Sequence, residues 1–211
     1  HGCWLNPVNR ARFENALNEA NTEPIADFDT AFDTQLGFAV RAHCAPVIGL
    51  ERHSDADAYW AARSAIPESD LARRLLGGAN VSDWLVDTGF AAGVADLGEF
   101  AGLGAGRVHE VVRLETVAEE AAAATGEYAA AFDEALSRHA RTAVATKSVL
   151  AYRGGFNGDL SEPSPAEVRH AAARWREAGG TRLMDRVLLR FGLHRALTLG
   201  KPLQFHVGFG D

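Results

Sequence analysis

The stretch His109-Glu110-Val111-Val112-Arg113-Leu114-Glu115, continued directly by Thr116-Val117-Ala118-Glu119, decides the fold class. Val111, Val112 and Leu114 lie within a short apolar run that reads as a strand. Thr116 followed three residues later by Glu119 is a capping-box pattern, and Tyr128, Ala131, Phe132, Ala135 and Leu136 then recur on one helical face. Strand passes into helix.

Outward from this unit the alternation continues. On the amino side, Val81 to Val86 reads as a buried strand ending in Asp87-Thr88-Gly89. Between it and Arg107, Gly89, Gly93, Gly98, Gly102, Gly104 and Gly106 predict a loop with one helical turn. On the carboxyl side, Ala143 to Tyr152 predicts the longest strand. Ser164-Pro165 with Glu167 makes a second capping box, with Val168, Ala171, Ala172 and Trp175 as the buried face and Gly179-Gly180 as the stop. A helix from Thr181 to Phe191 should end at Gly192, and a last strand, Leu203 to Val207, enters a turn at Gly208. Before Val81 the pattern is helical: a helix of about four turns opens at Asn6-Pro7 and carries Phe13, Ala16, Leu17 and Ala20, and weaker helices cover Asp55 to Ile66 and Asp70 to Gly77-Gly78. No hairpin signal joins neighbouring strands, so the strands should be parallel and the class α/β. Four full strands are half of the eight in a closed (β/α) barrel, which takes about 250 residues.

Composition narrows the function classes. The 211 residues fit one domain, and 47% apolar residues exclude disorder as the main state. The 28 acidic residues against 21 basic ones give a formal charge of −7 with no basic stripe, which argues against nucleic acid and anionic membrane as partners. No uncharged run approaches the ~18 residues of a membrane span, and no leader pattern opens the chain, so a cytoplasmic protein is expected. Cys3 and Cys44 cannot form a disulfide framework, and Cys44 beside His43 reads as a small buried hydrophobe. His109-Glu110-Val111-Val112-Arg113 fails as a zinc-protease helix because Arg113 stands where the second histidine belongs.

The residues that carry chemistry sit near the predicted strand ends: Asp87, Glu115, Arg153 and His206, with Lys147 slightly earlier in its strand. In parallel α/β folds that end of the sheet gathers loops and helix amino termini. Lys147 is one of only two lysines among the 21 basic residues, and an amine inside a strand must be paired, desolvated or modified. Each residue also has a structural reading: Lys147 reaching a rim carboxylate, His206 hydrogen-bonded in the core, Asp87 and Glu115 capping helices or holding an arginine. Arg153 either binds a substrate carboxylate with its planar fork or pins its own loop.

Lys147-Ser148-Val149-Leu150-Ala151-Tyr152-Arg153-Gly154-Gly155 and Lys201-Pro202-Leu203-Gln204-Phe205-His206-Val207-Gly208-Phe209-Gly210-Asp211 resemble two strand-end motifs of the amidohydrolase superfamily. The resemblance is to its amidohydrolase-2 branch, which includes the domain fused to glutamine-synthetase-like enzymes. His1-Gly2-Cys3 resembles the end of that family's first strand, where an HxH pair binds metal. The resemblance implies a metal-dependent (β/α) TIM-like barrel, incomplete, with strands one to five in residues 1–211 and a helical insertion at about 4–80. By it, His1 and His206 are metal ligands, and Lys147 corresponds to a lysine that is carboxylated and bridges two metals in some members. Arg153, Tyr152, Asp87 and Glu115 fall on the substrate side. The implied cofactor is a divalent metal, zinc or alternatively manganese, whose bound water attacks the amide-like C–N bond of a small carboxylate-bearing substrate. The pair's first histidine, the strand-six histidine and the strand-eight aspartate would fall outside residues 1–211, so the segment alone is expected to be inactive. A decarboxylase or uronate-isomerase-like enzyme uses a similar metal cradle. A non-catalytic partial barrel, its edge closed by another chain, is the reading outside the enzyme class, and a homo-oligomer is compatible with either.

Overall fold

A computed structural model describes residues 8–18, 28–89 and 93–208. In chain order its helices and strands are α1 (Arg10–Ala16), α2 (Gln35–Ala39), α3 (Ala45–Val47), α4 (Ala56–Ser64), α5 (Glu68–Gly78), β1 (Asp83–Asp87), α6 (Leu97–Gly102), β2 (Arg107–Arg113), α7 (Leu114–Ala123), α8 (Tyr128–Ala140), β3 (Ala145–Ser148), α9 (Pro165–Glu177), α10 (Arg186–Leu197) and β4 (Leu203–Phe205). A turn of π-helix, Val40–Cys44, joins α2 to α3, and a 3-10 turn, Leu150–Tyr152, follows β3. No helix among the described residues is long and apolar enough to cross a membrane.

The four strands form one all-parallel half-barrel sheet in the order β1-β2-β3-β4. The α/β class holds, but the TIM-like barrel with five strands does not. Each strand neighbours only the next in sequence, and the ends of the order, β1 and β4, do not meet. The segment taken as strand one, His1-Gly2-Cys3, lies outside the described residues, as do Asn6, Pro7 and Ala20.

The chain falls into two compact units. One comprises Leu85–Phe90 and His109–Gly210, and the other is drawn mainly from Gly2–Trp84 and Ala91–Val108. In the first, the parallel register sets Val112 beside Thr146 and Thr146 beside Leu203, whereas Arg113 lies beside Lys147 and Lys147 beside Gln204. Val112 belongs to the main core cluster, with Leu203 packed against it, so this row faces the helices and the Arg113-Lys147-Gln204 row takes the other face. Phe132 is the centre of the core: fully buried, it packs on Phe191 at 5.2 Å between ring centroids and on Tyr128 at 6.2 Å. In the second unit Phe13, Phe32 and Tyr59 cluster, and the Arg63 guanidinium lies 4.9 Å from the Phe13 ring centre while bonding Glu68.

Several boundaries differ from the sequence reading for local reasons. β2 ends at Arg113, which serves as the amino cap of α7, so Glu115 stands in the first helical turn and not in a strand. Thr116 is therefore already inside the helix, and no capping box forms there. Glu119 instead accepts from Arg153 and from the Leu183 amide. The helix expected to run on through Tyr128 is broken before it: Gly126 adopts φ +97°, and Arg176 donates to the carbonyls of Ala121, Ala122, Ala124 and Gly126 at the frayed end of α7. The long strand to Tyr152 shrinks to Ala145–Ser148 because the Ser148 hydroxyl takes the Leu150 amide and Glu115 takes that of Val149, turning the chain into the 3-10 helix. α10 runs through Gly192, which lies inside the helix against Phe132 and does not end it. The capping box of Ser164 and Glu167, with Pro165 in the first turn, forms as read.

Replacing Phe132 by alanine should cost about 3–5 kcal/mol, the range for a fully buried aromatic. Urea unfolding followed by circular dichroism should show the midpoint fall, and an unchanged midpoint would remove Phe132 from the centre of the core.

Candidate functional site at the carboxyl ends of the strands

Asp87 closes β1, Arg113 closes β2, and Lys147 is the penultimate residue of β3. Arg113 and Lys147 are register partners and project from the same face. Both meet Asp87. Arg113 donates through Nε to Asp87 Oδ2 at 3.1 Å and through Nη2 to the same oxygen at 2.5 Å, while Lys147 Nζ lies 2.8 Å from it. The Gly89 amide adds a bond to Asp87 Oδ1 at 2.9 Å. Gly89 is needed for this approach, since a Cβ there would come within 2.5 Å of the Arg113 side chain. The side chains of Asp87 and Lys147 are each 6% exposed and that of Arg113 15%.

Burial alone would raise the Asp87 pKa, but the hydrogen bonds from Arg113, Lys147 and the Gly89 amide outweigh it and hold the carboxyl below the usual aspartate value. Asp87 is therefore an anion over the whole working pH range.

Glu115 makes a second arrangement at the same end of the sheet. It is 1% exposed, and its Oε1 accepts from the Ser148 hydroxyl at 2.7 Å and the Val149 amide at 3.0 Å. Its Oε2 is buried with no hydrogen-bond partner among the described residues. The Ser148 carbonyl in turn accepts from the His206 amide at 3.0 Å, so Glu115 fixes the residue on which the β4 exit is registered. The His206 ring packs on Tyr152 at 5.2 Å between centroids, and the Tyr152 hydroxyl lies so close to Gly208 that a Cβ there would meet it at 3.0 Å.

The structure thus brings Asp87 and Lys147 into contact, pairs Tyr152 with His206, and links Glu115 to His206 through Ser148. Arg153 belongs to none of these. Its Nη1 donates to the Leu183 carbonyl at 2.8 Å and to Glu119 at 3.2 Å, and it is 8% exposed. These partners hold the Tyr152-Arg153-Gly154-Gly155 loop against α7 and the approach to α10. Arg113 is the member that sequence reading missed. The strand was read as running to Glu115, which hid that Arg113 stands at its end. His1 lies outside the described residues. Among those described, no three His, Cys, Asp or Glu side chains gather closely enough to hold a metal ion. His206 offers imidazole chemistry suited to a divalent ion, whereas the Lys147 amine lies against Asp87. The described residues alone do not complete a metal site, and other ligands, His1 among the candidates, would have to come from elsewhere.

No family model matches the chain. No curated protein matches it either. Among solved structures, the fold is similar to a protein of Lactobacillus casei ATCC 334 named "putative metal-dependent hydrolase", with a TM-score of 0.73 and 24% identity. The match covers 100% of this chain and 57% of that one, so the chain spans little more than half the length of its structural neighbour.

Because the folded-state pKa of Asp87 is lowered, its ion pairs contribute stability that is present above the unfolded value of about 4 and lost as pH falls through the folded value. Asp87→Asn should remove this acid-side dependence and cost about 3–5 kcal/mol at neutral pH, the range for breaking a buried pair. Unfolding midpoints measured from pH 2 to 7 will show it, and parallel curves for the two proteins would contradict the assignment.

Proposed function

We propose that this chain carries part of the active site of a metal-dependent hydrolase that cleaves an amide-like C–N bond in a small, carboxylate-bearing substrate. The observation that carries the reading is the charged cluster of Asp87, Arg113 and Lys147 at the carboxyl ends of a parallel sheet, with His206 just past the end of β4. In parallel α/β folds that end is where substrates bind. Support also comes from the fold likeness to the Lactobacillus casei protein, whose name is that of a metal-dependent hydrolase.

In this reading His206, together with His1, supplies imidazole nitrogens to a divalent ion, zinc or manganese. Lys147 joins them only if it is first converted from ammonium to a carbamate. When bound, such an ion lowers the pKa of its water to near 7 and polarises a carbonyl oxygen. The chain's own residues do the rest. The Tyr152 ring buttresses the imidazole of His206, Glu115 holds the turn after β3 to which His206 is bonded, and Asp87 keeps Arg113 and Lys147 oriented on the substrate-facing side.

The test uses the full-length gene product and a panel of N-acyl amino acids and aryl amides. Amine or ammonia release should disappear on chelation and return with added Zn²⁺ or Mn²⁺, and His206→Ala should reduce turnover at least about 100-fold, more than the loss seen for a residue that merely supports a ligand. Carbon dioxide or ketose formation without C–N cleavage would place the protein with decarboxylases or isomerases instead. Catalysis indifferent to chelation would overturn the metal dependence, and a protein that turns over none of these would return the chain to a binding role.

A further inference from the structure

We infer that Arg113 and Lys147 together receive the carboxylate of the bound substrate, with Asp87 as the built-in counter-charge that holds both cations in place. The inference rests on the reading of this site as that of a hydrolase for a carboxylate-bearing molecule. It transfers the recognition role from Arg153, whose Nη1 is spent on the Leu183 carbonyl and on Glu119, to a pair at the carboxyl ends of β2 and β3.

Charge is the first argument. Two cations meet one carboxylate, and among the described residues no other acid forms an ion pair with either of them. The cluster therefore holds one uncompensated positive charge in a place where Asp87 and Lys147 are each 6% exposed. An excess charge with so little water is costly until an anion joins it.

Donor geometry is the second. A guanidinium has two edges that match a carboxylate, one made by Nε and Nη2 and one by Nη1 and the second hydrogen of Nη2. Asp87 occupies the first edge, accepting from Nε at 3.1 Å and from Nη2 at 2.5 Å. The second edge has no hydrogen-bond partner among the described residues. Lys147 likewise has three N–H donors and one carboxylate, Asp87, within ion-pair distance. The unfilled donors of both side chains thus belong to one charged cluster.

Access is the third. Arg113 is the least buried of the three, at 15% side-chain exposure, and the row it shares with Lys147 and Gln204 lies on the face turned away from the helical core. Gln204, exposed at the end of that row, adds a neutral amide beside the cations. The arrangement suits a small molecule with one carboxylate and an adjacent hydrogen-bonding group.

The experiment titrates the protein, without metal, with sodium acetate and with neutral acetamide at constant ionic strength, followed by calorimetry or by amide chemical shifts. Acetate should bind saturably and acetamide should not. Arg113→Gln and Lys147→Met should each weaken acetate at least about tenfold, the loss expected for one charge-assisted contact. Each of these variants leaves Asp87 one cation, so the fold keeps a paired carboxylate. Asp87→Asn, measured at a temperature where it is folded, should bind acetate more tightly because the internal competitor has lost its charge, a gain that a purely structural cluster would not show. Acetamide or chloride binding as well as acetate, wild-type affinity in Arg113→Gln or Lys147→Met, or unchanged or weaker binding in Asp87→Asn would overturn the inference. The titration needs no turnover. Acetate binding without any hydrolysis therefore counts against the proposed reaction and leaves the anion site, whereas hydrolysis without acetate binding counts against the anion site alone.

Discussion

No residue separates β2 from α7, and that junction at Arg113 and Leu114 organises the first unit. With no loop to absorb a rotation, the last strand residue and the first helical turn are fixed relative to each other. Arg113 is then committed to the face of the sheet opposite the main core cluster, while Leu114, Val117, Ala118 and Ala121 enter that core. In the first turn of the helix Glu115 reaches the end of β3, and one turn further Glu119 reaches Arg153 and Leu183. Three polar connections that position the site therefore leave one short stretch of chain.

The parallel α/β class was legible because it is written in period and punctuation: Val111 and Val112 in an apolar run, Ser164 and Glu167 three apart, glycines after helices. What was not legible depended on contacts between distant residues. Glu115 read as the end of a strand because nothing nearby reveals that it will bond Ser148 and Val149, 33 and 34 residues on. Gly192 read as a helix stop because nothing nearby reveals that α10 continues through it, packed against Phe132 from a helix some sixty residues earlier. The five-stranded partial barrel implied by family resemblance gives way to a sheet of four parallel strands, and the segment read as its first strand, His1-Gly2-Cys3, lies outside the described residues.

The candidate site shows the same division. Strand-end position drew attention to Asp87 and Lys147, and the structure puts them in contact. It could not show that Arg113 shares Asp87 with Lys147, since a register between strands is not readable from either strand alone. Arg153 looked equivalent to Arg113 by residue type, yet the structure gives its Nη1 to the Leu183 carbonyl and Glu119, away from Asp87. Fold likeness supports the setting, and side-chain chemistry has to supply the function.

The brevity of β4 has a consequence for how copies of this protein treat one another. An edge strand is a template on which a foreign strand can grow, and the hazard scales with the run of free backbone donors and acceptors. β4 offers three residues, Leu203–Phe205, and Pro202 just before it has no amide hydrogen to donate. Phe205, although 38% exposed, turns its ring edgewise onto Phe156 at 5.3 Å between centroids. Among the described residues, the β4 margin of the sheet is thereby too short to nucleate cross-β growth.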